Sequence, residues 1–130
     1  MRTNWIAIGT VSGALAVLLG AFGAHGLKER VSPEELEIWR TGVLYHLIHA
    51  PVLVVFGLFQ ERRRSSPLPG WAFLLGTAIF SGTLYGIALG GPRALGAITP
   101  IGGLLLITGW TLFARQALRN GKAASGPSES

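Results

Sequence analysis

A chain of 130 residues carries 11 Lys or Arg and 6 Asp or Glu, so only 13% of it is charged, while 49% is hydrophobic and the mean hydropathy is +0.47. A soluble domain this small cannot hide so much apolar surface and ordinarily has about a quarter of its residues charged, which makes lipid the expected solvent. The absence of cysteine excludes disulfides, thiolate metal sites, iron–sulfur clusters and a cysteine nucleophile.

Residues 3–27, 41–60, 65–92 and 94–114 contain no Asp, Glu, Lys or Arg. A hydrocarbon layer about 30 Å thick is crossed by about 20 helical residues, so each stretch is long enough for one crossing. Transmembrane strands would alternate apolar with polar, whereas 15–19 and 51–56 are apolar on every side, which selects helices over a barrel. The expected fold is all-α: an integral membrane bundle of four transmembrane helices in up-down order. It forms one domain, 1–119, with spans at about 5–24, 41–59, 71–89 and 101–119 and a flexible cytoplasmic tail at 120–130, rich in Gly, Ser and Ala.

The first span follows Arg2 and holds Gly9 and Gly13 four residues apart, a spacing that lets two helix backbones approach closely in lipid. Its small-residue end, Ala21-Phe22-Gly23-Ala24, has the look of a signal-peptide cleavage region, but the apolar run exceeds a signal core of about 7–15 residues and reads as a span. Ser32-Pro33-Glu34-Glu35 is a helix start, with a capping hydroxyl, proline in the first turn and carboxylates at the positive dipole end. The second helix therefore begins before the membrane, and Trp39, like Trp5, Trp71 and Trp110, is expected in the aromatic belt at the headgroups. Ser66-Pro67-Leu68-Pro69-Gly70 separates the second and third spans. The third carries the small-residue series Gly82, Gly86 and Gly90, and Gly90-Gly91-Pro92 with Thr99-Pro100 brackets the turn into the fourth.

Four crossings put both termini on one side. That side holds Arg2, Arg62, Arg63, Arg64, Arg115, Arg119 and Lys122 against Glu61 and Glu129; on the other, Lys28, Arg30, Arg40 and Arg93 are matched by Glu29, Glu34, Glu35 and Glu37. The excess of basic residues orients both termini to the cytoplasm of a bacterial cytoplasmic (inner) membrane, crossed by a multi-pass chain. Anionic lipid is the expected partner of the positive face; no basic stripe interleaved with aromatics could track a nucleic-acid backbone.

The polar residues within the spans are few. His46 and His49, i and i+3, lie about 60° apart on one face of the second helix, and His25 ends the first. With Tyr45, Tyr85, Arg93 and Thr99 they form a candidate polar pocket opening toward the side opposite the termini. Imidazoles ligate zinc, copper or haem iron, so His25, His46 and His49 are candidate metal ligands, although no carboxylate lies within a span and no HExxH occurs. The alternative is that each histidine hydrogen-bonds a neighbouring hydroxyl or carbonyl and fixes helix register, which leaves the bundle without a cofactor. No GxSxG elbow or phosphate-cradling loop is present, and no catalytic residue is assigned.

Gly20-Ala21-Phe22-Gly23-Ala24-His25-Gly26-Leu27, Tyr45-His46 with His49-Ala50, Phe80-Ser81-Gly82-Thr83-Leu84-Tyr85 and Ile98-Thr99-Pro100-Ile101-Gly102-Gly103 stand in an order that resembles the domain of unknown function 423 group, called transmembrane protein 256 in eukaryotes. The resemblance runs over about residues 4–113 and implies a four-helix integral membrane protein; it carries no activity, cofactor or substrate. The leading functional expectation is a non-enzymatic accessory or stabilising subunit that associates, through glycine-rich faces, with a larger membrane complex or with copies of itself. The rival is a metal-, haem- or proton-binding or transport module built on the histidines, and a small solute carrier ranks below both. If the spans are immersed in hydrocarbon, the protein sediments wholly with membranes after alkaline carbonate extraction and is released only by detergent.

Overall fold

Asn4 opens the first helix: its side-chain Oδ1 accepts the Ala7 amide at 3.0 Å, satisfying one of the free N–H groups of the first turn. The computed structural model describes residues 2–126. Among these are helices α1 (Trp5–Phe22), α2 (Pro33–Arg62), α3 (Leu68–Ala88) and α4 (Leu95–Ala124), each long and apolar enough to cross a membrane, and no strand. A π-helical turn, Gly23–Leu27, carries α1 onward. At Ser32 the hydroxyl accepts the Glu35 amide at 3.1 Å and the Glu35 carboxylate accepts the Ser32 amide at 2.8 Å, a reciprocal capping box with Pro33 as the first helical residue.

Side-chain pairs give the directions of the helices. Arg2 donates to the Gln60 carbonyl, joining the start of α1 to the end of α2, while the Trp39 indole donates to the Leu19 carbonyl at 2.9 Å near the opposite ends. Ser81 on α3 donates to the Gly42 carbonyl on α2 at 2.7 Å, and Thr83 on α3 pairs with Thr99 on α4, also at 2.7 Å. The four helices thus run alternately up and down. Each packs mainly on its neighbour in sequence, α3 on α4 most extensively, then α1 on α2 and α2 on α3, and α1 shares no extended contact with α4. The arrangement is a curved row rather than a closed ring.

Glycines set the spacing of this row. A Cβ at Gly102 would stand 2.5 Å from the Phe80 amide nitrogen and 2.9 Å from the Gly76 carbonyl oxygen, so α3 and α4 touch backbone to backbone there. Gly109, seven residues on and hence on the same face, accepts the Phe73 ring. Gly9 meets the Ala50 carbonyl and Val54 across the α1–α2 contact, Gly42 meets the Tyr85 ring, and Gly70 makes room for the rings of Trp5 and Phe56. Of the other glycines expected to pack, Gly13 is 3.7 Å from the Ala50 Cβ, Gly86 faces Leu95, and Gly82 has nothing within 4 Å. Gly90 does not pack between helices. It lies beyond α3 with φ +89°, a left-handed turn conformation that favours glycine.

Several boundaries differ from those read in the sequence. The fourth helix begins at Leu95 rather than 101, with Pro100 inside it, and runs to Ala124, taking in the first residues of the segment expected to be a tail. Residues 114–124 are mostly Ala, Arg, Gln, Leu and Lys, which extend a helix readily, and Lys122 suits its negative end. Residues 127–130 of that tail lie outside the described residues. Trp5 and Trp39 are only 1% and 2% exposed, in the core rather than in a headgroup belt, because Gly70 and Gly23 vacate the space their rings fill. The rings of Trp71 and Trp110 are partly exposed on the outside of the bundle, but the Trp110 indole stands beside His49 at the middle of α4 rather than at a helix end.

Gly102→Ala forces the α3–α4 backbones apart and is expected to cost about 1–3 kcal/mol in reversible unfolding in detergent. Gly82→Ala, which meets open space, should stay within about 0.5 kcal/mol of the parent.

Candidate functional site

Two apolar clusters bracket the middle of the molecule. Trp5, Leu53, Phe56, Phe73 and Leu106 pack on the side of the termini; Leu27, Trp39, Val43 and Ala88 pack on the opposite side. Between them lies a layer of buried polar side chains, His46, His49, Thr77 and Ser81, with Ser12 and Tyr85 at its edge. The hydrocarbon core of a bilayer holds no water to pair with them, so each group pairs within the protein or leaves its polar atom unsatisfied.

His46 joins three helices. Its Nε2 lies 3.0 Å from the Ser12 hydroxyl on α1, and its Nδ1 lies 3.0 Å from the Tyr85 hydroxyl on α3. Hydroxyls donate and accept, so this chain reads in either direction. His49, one turn further along α2, is held differently. Its Nδ1 lies 2.7 Å from the Tyr45 carbonyl, which only accepts, and its Nε2 lies 3.1 Å from the Trp110 indole N–H, which only donates. These partners fix one species, a neutral imidazole with its proton on Nδ1. A protonated ring would have no lone pair for the indole.

The residues expected to share one pocket therefore divide. The 60° between His46 and His49 is enough to send the first toward α1 and α3 and the second toward Phe73 and Trp110 on α3 and α4. Tyr45 packs at a tilt against Phe80 with its ring partly exposed, and Thr99 bonds Thr83 and its own helix at Leu95. Arg93 lies exposed in the turn between α3 and α4. His25 stands on the π turn, exposed, with Nδ1 donating to the Ala21 carbonyl at 3.1 Å. Thirteen residues separate it from Ser12 on the same helical rod, about 20 Å along the axis, which is too far for an ion held also by His46. Among the described residues no three His, Asp or Glu side chains gather closely enough to hold a metal ion.

Sequence reasoning missed Ser12, Thr77, Ser81 and Trp110. A signal for two of them was present: Thr77 and Ser81 stand four and eight residues before Tyr85, already a candidate, and form with it a polar stripe down one face of α3. Nothing in the sequence directed the Trp110 indole to His49.

A family model described as a protein of unknown function (DUF423) matches residues 19–103. The UPF0382 membrane protein YwdK of Bacillus subtilis (strain 168) is 38% identical over 118 residues, 88% of this chain and 96% of the relative. A UPF0382 membrane protein of Staphylococcus epidermidis is 40% identical over 116 residues, 88% of this chain and 95% of the relative. One from Schizosaccharomyces pombe is 38% identical over 112 residues, covering 79% and 92%. No solved structure matches the chain.

Trp110→Phe keeps the ring contacts but removes the donor to His49, and should cost about 0.6–1.7 kcal/mol of stability while shifting the side-chain ¹⁵N resonance of His49 Nε2. His49→Ala and His46→Ala should lower the unfolding midpoint further, and His25→Ala should change it little.

Proposed function

The chain belongs to the DUF423 family of membrane proteins, whose activity is unknown, and from that premise and the pairing of its polar groups we propose that it is a non-enzymatic accessory or stabilising subunit of a larger membrane assembly. One observation carries this reading: α1 packs on α2 and leaves much of its surface outside the bundle, with Val11, Val17 and Leu18 more than 60% exposed. Ile101, Leu104 and Ile107 on the outer face of α4 are exposed likewise. Both end helices of the row thus present broad apolar faces, and in lipid a partner helix bonds to such a face by shape and dispersion. Most of the glycines are taken up inside the chain, which shifts the expected contact from glycine stripes to these outer faces.

The basic residues at the helix ends on the side of the termini support an orientation with both termini in the cytoplasm, in the inner membrane of a bacterial cell. The fission-yeast relative shows that the family also extends to a eukaryote. The histidines support structural roles, since both rings inside the spans use both nitrogens in hydrogen bonds.

Native extraction in mild detergent followed by mass measurement tests the proposal. The expected result is a complex well above the 13.7 kDa of the single chain, without stoichiometric metal or visible pigment. A lone chain in every mild detergent, or purified protein carrying one metal or haem per chain, would overturn it.

A further inference from the structure

Where α1 begins and α2 turns into α3, the end of the bundle on the side of the termini holds a cleft of about 440 Å³. Four residues line it: Arg2, Arg64, Ser65 and Ser66. No carboxylate is among them. Glu61 lines a neighbouring depression that also includes Arg2, without forming an ion pair to it; the one ion pair among the described residues, Arg40 with Glu37, belongs to the opposite end of the molecule.

Hydrogen bonds engage the acceptors of this cleft and leave its donors. The Ser65 carbonyl accepts from the Gln60 side chain at 3.1 Å and the Ser66 carbonyl from the Gln116 side chain at 3.0 Å, which also ties the turn to α2 and α4. Ser66 Oγ accepts the Leu68 amide at 3.3 Å, so its own hydrogen is free to donate. The Ser65 hydroxyl oxygen is sealed beneath the surface and offers nothing. Arg2 gives one N–H to the Gln60 carbonyl, which steadies its guanidinium and leaves further donors, and Arg64 stands exposed. Two guanidinium groups and a hydroxyl, beside the positive end of α3, make a set that recognises an anion.

Depth narrows the class of anion. Gln116, which holds the Ser66 carbonyl, stands about 32 Å of helix from Leu95 at the start of α4, close to the hydrocarbon thickness of about 30 Å. The cleft therefore lies at the level of the headgroup phosphates. A zwitterionic lipid would bring an ammonium for which the lining has no carboxylate, whereas a phosphate with no cation attached meets donors alone. The basic residues of α4 are arranged differently. Arg115, Arg119 and Lys122 follow one face of a single helix, and the last two lie about 4.5 and 9 Å beyond Gln116, with no second element opposite to fix a ligand.

We propose that the cleft of Arg2, Arg64 and Ser66 is a binding site for one anionic phospholipid, held by its headgroup phosphate. A single lipid seated at named donors is distinct from the general attraction of a positive face for anionic membrane. The site does not depend on the accessory-subunit reading, which uses the outer faces of α1 and α4, so either can fail without the other.

The test titrates the full chain in dodecylmaltoside micelles with palmitoyl-oleoyl phosphatidylglycerol and counts retained lipids by native mass spectrometry. One molecule is expected to be retained at about a tenth of the concentration needed for the matching phosphatidylcholine. Arg2→Gln combined with Arg64→Gln should weaken retention about tenfold, whereas Arg119→Gln combined with Lys122→Gln, which removes the same charge, should change it less than about twofold. If the first pair does not fold, Arg64→Gln alone, at an exposed side chain, should weaken retention about threefold. Inorganic phosphate should not displace the lipid. Equal effects of the two charge-matched pairs would mean a diffuse field and overturn the site. Equal retention of phosphatidylcholine would overturn the preference for an anionic head, and displacement by inorganic phosphate would make a soluble phosphate the ligand in place of a lipid.

Discussion

Water is absent from the middle of a bilayer, and that single constraint organises this protein. A polar side chain there cannot turn to solvent, so the position of one polar group dictates the position of another on a neighbouring helix. Ser81 finds the Gly42 carbonyl, Thr83 finds Thr99, and Trp110 finds His49; each bond crosses between helices and fixes their relative height. Bonds of this kind are individually modest in membranes, about 0.6 kcal/mol on average. Their effect is on register more than on stability, because sliding a helix by one turn would break several together. Dispersion between closely packed backbones supplies the rest, and glycine permits the approach where Gly102 meets Phe80 and Gly9 meets Ala50.

The same constraint explains which features could be read in the sequence. The four crossings were legible because charge is costly in hydrocarbon, and gaps between charged residues therefore mark what is immersed. The capping box at Ser32 was legible because it depends only on neighbours in the chain. Partner choice depends on rotation about each helix axis, and no local rule supplies it. Spacing by four singled out Gly82 and Gly90, yet Gly82 faces open space and Gly90 serves a turn; the α3–α4 contact uses Gly76, Gly102 and Gly109 instead. The tryptophans show the same limit. A preference for the interface holds for a ring with no cavity to enter, and Trp5 and Trp39 have cavities because Gly70 and Gly23 lie opposite them.

Residue type alone also could not separate the three histidines. His25 lies on a π turn and bonds its own helix, outside any shared site. His46 and His49 are nearly equal in burial and differ in what stands opposite each ring nitrogen. The pocket expected around all of them divides because α2 is flanked by α1 on one side and by α3 and α4 on the other, so a small rotation between successive residues selects different neighbours.

That difference of partners is also a difference of capacity. The His49 ring is closed: a pure acceptor and a pure donor occupy its two nitrogens, every hydrogen is used, and nothing is left for a ligand. The His46 ring is open, because both of its partners are hydroxyls and three hydrogens serve two links. A donor hydrogen can be released at the Ser12 end or the Tyr85 end by exchanging one neutral tautomer for the other, with no change in net charge. Such a ring keeps both of its bonds through the exchange, and a metal ion would require a free lone pair and further ligands. Two histidines one turn apart on the same helix thus fasten the bundle in different ways, one to α4 through an indole and the other to α1 and α3 through two hydroxyls whose hydrogens can reverse direction.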